Sequence, residues 1–188
     1  MNNTFPRWTF IFIFVLVIGF VFQNVTNFWY FLAFFPAFSI QAPWMFFTSI
    51  FLHADISHLF FNVIALFIFG IYLERMVGRR TFIIIFLTSG ILGNVGYLLT
   101  ATDPLTPAIG ASGAVYGIIG TLAALAPFMI IYVYGLLPMP MVVAAIIYGF
   151  LDFGGLFVSS KTAHGAHLAG MFVGIAFGLF LRNRAKQH

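Results

Sequence analysis

The stretch Gly110-Ala111-Ser112-Gly113-Ala114-Val115-Tyr116-Gly117 opens an apolar segment that runs to Pro127 without a charged residue. A serine between small residues at the start of an apolar helix most often marks close packing of membrane helices. Four of the five histidines, however, form two tight groups in otherwise apolar sequence, His53 with His58 and His164 with His167. Ionisable side chains at membrane depth are costly and usually functional. We therefore interpret Ser112 as the centre of a candidate site.

The composition identifies the class of protein. Of 188 residues, 62% are hydrophobic and 6% are charged, whereas soluble domains carry about 25% charged residues. The sequence therefore predicts an integral membrane protein with lipid around it. The absence of cysteine excludes thiolate catalysis and disulfides. The net charge is +4, but the placement of the basic residues follows the predicted membrane topology, so no nucleic acid partner is expected.

The hydrophobic pattern predicts an all-α membrane protein, a single six-helix domain over residues 1–188. The approximate spans are 9–30, 56–73, 81–100, 112–126, 141–158 and 163–181. Two segments between spans, 31–45 and 127–140, contain prolines and are predicted as loops, because lipid cannot replace the backbone hydrogen bonds that proline loses. Asp55 is a candidate N-cap of the second span. The fourth span is short, about 22 Å against a hydrocarbon core of about 30 Å, which places Ser112 inside the membrane.

The basic residues predict the orientation. Seven of them lie on one side of a six-span chain: Arg7, Arg75, Arg79, Arg80, Arg182, Arg184 and Lys186. Lys161 alone lies on the other side. The positive-inside rule then puts both termini in the cytoplasm. We expect a multi-pass protein of the cell membrane whose candidate site opens towards the extracytoplasmic side.

Helical spacing groups the polar side chains. His58 and Asn62 are four residues apart and share one face of the second span. On the sixth span, His167 shares a stripe with Gly174 and Gly178. On the fourth, one side carries Ser112, Gly113, Tyr116, Gly117 and Gly120. If these glycine stripes pack together, Ser112 and His167 meet at the same depth.

Each of these residues also has a simpler interpretation. His167 alone could be a structural histidine, Asn62 could join helices, and Asp152 could be a helix-end group. Metal or haem binding is less favoured, because the His-x-x-His spacing occurs once, at His164 and His167, without the glutamate of a zinc protease motif. No metal and no cofactor are therefore expected. Acyl transfer needs a hydroxyl, a general base and donors for an oxyanion. His167 can be the base, and Asn62, His58 and the Ser112 backbone N–H can be the donors. No acid closely follows either histidine group, which favours a serine–histidine dyad over a triad.

Four motifs in order resemble the rhomboid family of intramembrane serine proteases. They are His53-x4-His58-x3-Asn62, Glu74-x3-Gly78, Gly110-Ala111-Ser112-Gly113 and Ala166-His167-x-x-Gly170. The resemblance covers residues 9–182 and implies a compact six-helix protease without a further domain. One departure is the loop after the first span, which lacks a Trp-Arg pair that many members carry.

The resemblance also implies residue roles. Ser112 would be the nucleophile and His167 its base, with Asn62 and His58 in the oxyanion hole. His53 near the mouth of the site, Tyr116 packed on the imidazole, and Gly110 would support them. The expected substrates are transmembrane proteins. Two other functions stay open, a non-catalytic relative that binds membrane proteins and a small transporter with a histidine proton relay, although we find no convincing internal repeat.

Overall fold

The computed structural model describes residues 5–133, 136–158, 160, 162–185 and 187. The α-helices are α1 (Arg7–Val25), α2 (Trp29–Leu32), α3 (Met45–Thr48), α4 (Ile56–Ala65), α5 (Ile71–Val77), α6 (Arg79–Thr100), α7 (Ser112–Leu125), α8 (Met141–Gly155) and α9 (His164–Ala185). A π-helical turn, Leu66–Gly70, joins α4 to α5, so that residues 56–77 form one continuous helix. Two 3₁₀ turns, Pro36–Phe38 and Ser49–Phe51, lie in the long connection before α4.

The long helices match the thickness of a bilayer. Among the described residues, four helices are long and apolar enough to cross a membrane: Arg7–Val25, Ile56–Val77, Arg79–Thr100 and His164–Arg184. Two shorter apolar helices, Ser112–Leu125 and Met141–Gly155, accompany them. The chain is therefore a multi-pass, mostly helical membrane protein. The count of six spans and the inward termini stay predictions, and two of the basic residues behind the orientation, Lys161 and Lys186, lie outside the described residues.

Two predicted boundaries differ from the structure. The first span does not run to residue 30, because α1 ends at Val25 and the extended Thr26 returns both its N–H and its hydroxyl to the Phe22 carbonyl. The fifth span ends at Gly155 rather than 158, since residues 156–158 form a turn. Segment 31–45 is irregular apart from short turns, as predicted.

The segment before α8 is more regular than predicted. Strands β1 (Ile130–Val133) and β2 (Leu137–Pro140) form an antiparallel hairpin in which Ile130 pairs with Pro140 and Tyr132 with Pro138. A two-stranded sheet has two edges, so each proline can turn its donor-free nitrogen away from the partner strand. The prolines of β2 therefore exclude a helix there but still permit a strand.

Helix α7 lies in the centre of the bundle, and ten of its fourteen residues are buried. Glycines allow its close contact with α9: a Cβ on Gly170 would overlap the Gly113 carbonyl, and one on Gly174 would overlap the Gly117 carbonyl. The two glycine stripes thus face each other, as the spacing predicted. This contact fixes the start of α7 beside the first turns of α9.

Near the C-terminal end of the continuous helix 56–77, Glu74 binds the first turn of α1. Its buried carboxylate accepts hydrogen bonds from the Trp8 N–H (3.0 Å), the Thr9 N–H (2.8 Å) and the Thr9 hydroxyl (2.8 Å). The first N–H groups of a helix have no partner within the helix. Glu74 therefore caps α1 from a neighbouring helix.

Candidate active site

Ser112 is the first residue of α7, and the backbone before it makes a sharp turn. Gly110 has a φ of +124° and donates its N–H to the Ser49 carbonyl at 2.9 Å. A Cβ at this position would lie 2.6 Å from Cε1 of His58. Only glycine combines this positive φ with the lack of a Cβ that the His58 ring requires. The turn places the half-buried Ser112 at the N-terminal end of α7 rather than inside a helix.

His167 lies in the first turns of α9 and contacts Ser112 directly. Its Nε2 is 2.8 Å from the Ser112 Oγ. The Tyr116 ring, one turn along α7, stacks on the imidazole with a centroid distance of 4.3 Å and an interplanar angle of 12°. The stacking and the hydrogen bond together fix the plane of the ring. The structure therefore brings together Ser112, His167 and Tyr116, three residues singled out from the sequence.

Asp152 is a third polar partner that the sequence interpretation did not connect to the histidines. It lies in the last turn of α8 and is 4% exposed. Its Oδ1 is 2.9 Å from the His167 Nδ1 and 2.6 Å from the His164 Nδ1. Asp152 precedes these histidines by fifteen and twelve residues, so spacing alone did not relate them. The available signal was a carboxylate inside a predicted span, where ionisable residues are usually functional.

His164 continues this chain of hydrogen bonds towards the surface. Its Nε2 is 3.0 Å from the exposed Ser160 hydroxyl, whose oxygen accepts the Thr162 N–H at 2.9 Å. His164 is therefore held at both ring nitrogens.

His58 and Asn62 lie on the same face of α4, as predicted. Asp55 is the N-cap, since its carboxylate accepts the His58 N–H at 2.8 Å. The His58 imidazole packs against Gly110, two residues before Ser112. The buried Asn62 amide donates to the His58 carbonyl at 2.8 Å. His58 is thus close to the serine turn, whereas the Asn62 amide forms its hydrogen bond within its own helix.

His53 lies in the loop before α4, but its ring is inside the protein. The ring is fully buried at 0% exposure, so any support that His53 gives to the site comes from inside the protein. Gln23 of α1 holds the His53 backbone by accepting its N–H at 2.9 Å and donating to its carbonyl. The ring lies edge-on to His58 at 5.1 Å. Burial, with a smaller effect of His58, lowers the pKa of His53 to about 3, so the imidazole is neutral at physiological pH.

Asp152, His164 and His167 also form the one cluster of possible metal ligands found among the described residues, with ligand atoms within 4.8 Å of one another. Around a tetrahedral Zn²⁺ with ligands near 2.0–2.1 Å, neighbouring ligand atoms stand roughly 3.3 Å apart. The observed nitrogen–oxygen separations of 2.6 and 2.9 Å are shorter and match hydrogen bonds. The arrangement thus suits hydrogen bonding between these side chains better than metal binding.

Comparisons with known proteins give the family. The family model described as the rhomboid domain matches residues 40–184. The chain is 40% identical over 79 residues to "Rhomboid protease GluP" of Bacillus subtilis, which is 42% of this chain and 15% of that protein. It is 33% identical over 169 residues to "Rhomboid-related protein 1" of Caenorhabditis elegans, which is 81% of this chain and 46% of that protein. A third relative, 37% identical over 84 residues (44% of this chain and 23% of that protein), is named "Inactive RHOMBOID-like protein 8" in Arabidopsis thaliana.

The chain belongs to the rhomboid family, which generally consists of intramembrane serine proteases. It spans less than half the length of the curated relatives described above. The family assignment made from the four motifs is confirmed.

Proposed function

We propose that this rhomboid-family chain is an intramembrane serine endopeptidase, which hydrolyses peptide bonds in or next to transmembrane segments of other membrane proteins. The observation that carries the proposal is the 2.8 Å hydrogen bond between the Ser112 hydroxyl and the His167 imidazole. A serine hydroxyl is a weak nucleophile at neutral pH and becomes reactive when an adjacent base accepts its proton. Here the base is fixed in place by stacking and by a hydrogen bond at its other nitrogen.

The reaction then follows from the two side chains. The Ser112 oxygen attacks the peptide carbonyl while its proton passes to the His167 Nε2. The tetrahedral intermediate collapses when His167 returns that proton to the leaving amine, which leaves an ester on Ser112. Water repeats the sequence and releases the new carboxyl terminus, so that serine and imidazole return to their starting states.

Asn62, His58 and the Ser112 backbone N–H are the proposed donors for the oxyanion. The Ala54 N–H donates weakly to the His58 Nδ1 at 3.4 Å, so a neutral His58 carries its proton on Nε2. That nitrogen faces Gly110, beside the serine turn. Asn62 uses one N–H for the His58 carbonyl and keeps a second one for substrate. Donors of this kind stabilise charge that develops only in the transition state.

The remaining residues of the proposed site support this geometry. Tyr116 holds the plane of the imidazole, Gly110 makes room for His58, and the buried His53 packs behind the His58 ring. We also propose that residues 1–188 form a single six-helix domain of the cell membrane with both termini in the cytoplasm. The site would then open towards the extracytoplasmic side, where it would meet transmembrane substrates.

A second candidate function is a non-catalytic relative that binds membrane proteins. One matched relative is named inactive, so family membership does not by itself decide activity. The presence of both Ser112 and His167 within hydrogen-bond distance favours the enzyme.

Covalent labelling decides between the two candidates. We expect a fluorophosphonate to label the full chain in detergent or proteoliposomes, and a transmembrane substrate in the same vesicles to be cleaved. Ser112→Ala should lose both signals without a change in its thermal midpoint. Ser39→Ala, which removes a half-buried hydroxyl of the connection before α4, is the matched control and should keep both. Equal labelling of the Ser112→Ala protein, or a wild-type protein that is neither labelled nor active, would overturn the proposal.

A further inference from the structure

We propose that Asp152 is a positioning residue for His167 and acts as the carboxylate of a Ser112–His167–Asp152 triad. His164 in turn holds this carboxylate through a second hydrogen bond. The inference rests on the proposed function and goes beyond the serine–histidine dyad. It starts from one observation: a single carboxylate oxygen, Oδ1 of Asp152, is shared by two imidazoles.

The protons of this array follow from its geometry. The Ser112 hydroxyl must donate to the His167 Nε2 for that nitrogen to act as a base, so the ring proton of His167 lies on Nδ1. This Nδ1–H points at Asp152 at 2.9 Å. His164 donates its own Nδ1–H to the same oxygen at 2.6 Å and accepts the Ser160 hydroxyl at Nε2. Each hydrogen bond in the series from Ser112 to Ser160 then joins one donor to one acceptor.

The surroundings explain how a carboxylate persists there. Asp152 is 4% exposed, and a buried charge is stable only when it is paired or hydrogen-bonded. Two imidazole N–H groups supply this stabilisation, and the Tyr116 hydroxyl interacts with the same carboxylate. The carboxylate is thus held from α7 and α9 at once, which prevents its rotation away from His167.

In a neutral histidine, the hydrogen bond at one nitrogen decides which nitrogen carries the proton. Without Asp152, His167 could carry its proton on Nε2 and could no longer accept the proton of Ser112. The carboxylate also stabilises the imidazolium that forms during the attack. His164 acts one step further away, since it anchors the carboxylate but does not contact His167 through a hydrogen bond. The alternative is that Asp152 only fastens α8 to α9.

The test combines kinetics with the tautomer of His167. We expect Asp152→Asn to lower kcat by about 10²–10⁴-fold with little change in KM. The imidazole ¹⁵N shifts of the histidine-labelled protein should change from an Nδ1–H to an Nε2–H pattern for His167, and the loss of its signals in His167→Gln assigns them. Asp103→Asn is the matched control: it removes one carboxylate from an exposed loop, where Asp103 bonds Leu105 and Thr106, and it should change neither readout.

His164→Asn tests the contact of His164 with Asp152 separately from that of Asp152 with His167. It should lower kcat by less than about tenfold while His167 keeps its Nδ1 proton. A folded Asp152→Asn protein whose kcat stays within about threefold and whose tautomer is unchanged would overturn the proposal. If Asp152→Asn does not fold, the wild-type spectrum still decides, because an Nε2–H tautomer of its His167 contradicts the proposed array. A failure of the proposed protease would look different, since the wild-type protein itself would then show neither labelling nor cleavage.

Discussion

Two carboxylates lie in this apolar bundle, at opposite ends of it, and their neighbours differ in kind. Glu74 and Asp152 are equally buried at 4% exposure. Glu74 accepts hydrogen bonds from two backbone N–H groups and one hydroxyl of the first turn of α1. Asp152 accepts from two imidazoles. Burial alone therefore does not indicate function; the chemistry of the donors does.

The difference follows from what each set of donors can do. Backbone N–H groups at a helix start carry a fixed partial positive charge and do not titrate near neutral pH. Imidazoles gain and lose protons in that range. The ends themselves are well separated: Glu74 follows His58 by sixteen positions of continuous helix, which is about 24 Å. We therefore expect changes near Glu74 to affect stability and changes near Ser112 to affect catalysis, and three predictions test this division.

The largest effect is expected at Asn62, on the serine side. Asn62→Ala removes a proposed oxyanion donor, which typically costs about 10²–10³ in kcat, or roughly 3–4 kcal/mol. KM should change little, because the interaction strengthens mainly in the transition state. The measurements are kcat, KM and the thermal midpoint of one preparation.

The competing interpretation makes Asn62 a residue that only joins helices, which is worth about 0.6 kcal/mol on average. It predicts a lower midpoint and a normal rate per folded molecule. A destabilised Asn62→Ala protein with wild-type kcat would contradict the proposed role of Asn62 as an oxyanion donor and weaken the division between the two ends.

Changes at Glu74 should lower the stability of the protein and leave its rate unchanged, the opposite of the pattern expected at Asn62. Glu74→Ala leaves three donors of α1 without their partner, and each buried unsatisfied donor costs about 1–3 kcal/mol when water cannot reach it. Because the Trp8 N–H is only partly buried, we expect a loss of about 2–4 kcal/mol in the free energy of unfolding. The rate per folded molecule should stay normal.

Glu74→Gln is the matched variant, since its amide oxygen can still accept some of these hydrogen bonds, and it should be destabilised less. Chemical unfolding in detergent and substrate cleavage at a temperature well below the midpoint give the two readouts. A tenfold loss of kcat in a Glu74→Ala protein that is still folded would show that the two ends are coupled.

The smallest effect concerns pH and His53. Its pKa is lowered from 6.5 to about 3 in the folded protein, so the unfolded chain binds more protons between these values. His53 therefore supports the folded state fully above about pH 6.5 and less as the pH falls towards 3, by at most about 1.4 kcal/mol per pH unit. We expect the midpoint of the wild-type protein to fall more steeply from pH 7 to pH 5 than that of His53→Phe.

The comparison cancels the contributions that the two proteins share. Parallel midpoint curves for the two proteins would mean that His53 does not remain neutral inside the folded chain. The same midpoint curves, measured for proteins that also carry Glu74→Ala, show whether the pH effect of His53 persists when the Glu74 end is destabilised.

The sequence by itself determined the features that depend on local spacing. The glycine stripes of 112–126 and 163–181 predicted the close contact of α7 with α9, and the structure puts the Ser112 Oγ 2.8 Å from the His167 Nε2. The cap at Asp55 and the stacking of Tyr116 are also found. The contact of the stripes follows from the 3.6-residue period of a helix, and the cap follows from the residue type at the helix start, whereas the stacking of Tyr116 was implied by the family resemblance. The catalytic roles of the residues stay predictions.

Only the tertiary structure decided that Asp152 joins the hydrogen bonds of Ser112 and His167. Asp152 reaches His167 because α8 packs against α9, and nothing in a separation of fifteen residues reveals that contact. The burial of the His53 ring also depends on the packing of distant elements, such as α1, whose Gln23 side chain holds the His53 backbone. Helical periodicity records which face a residue occupies, whereas the partner on the opposing face is chosen by the packing of whole helices.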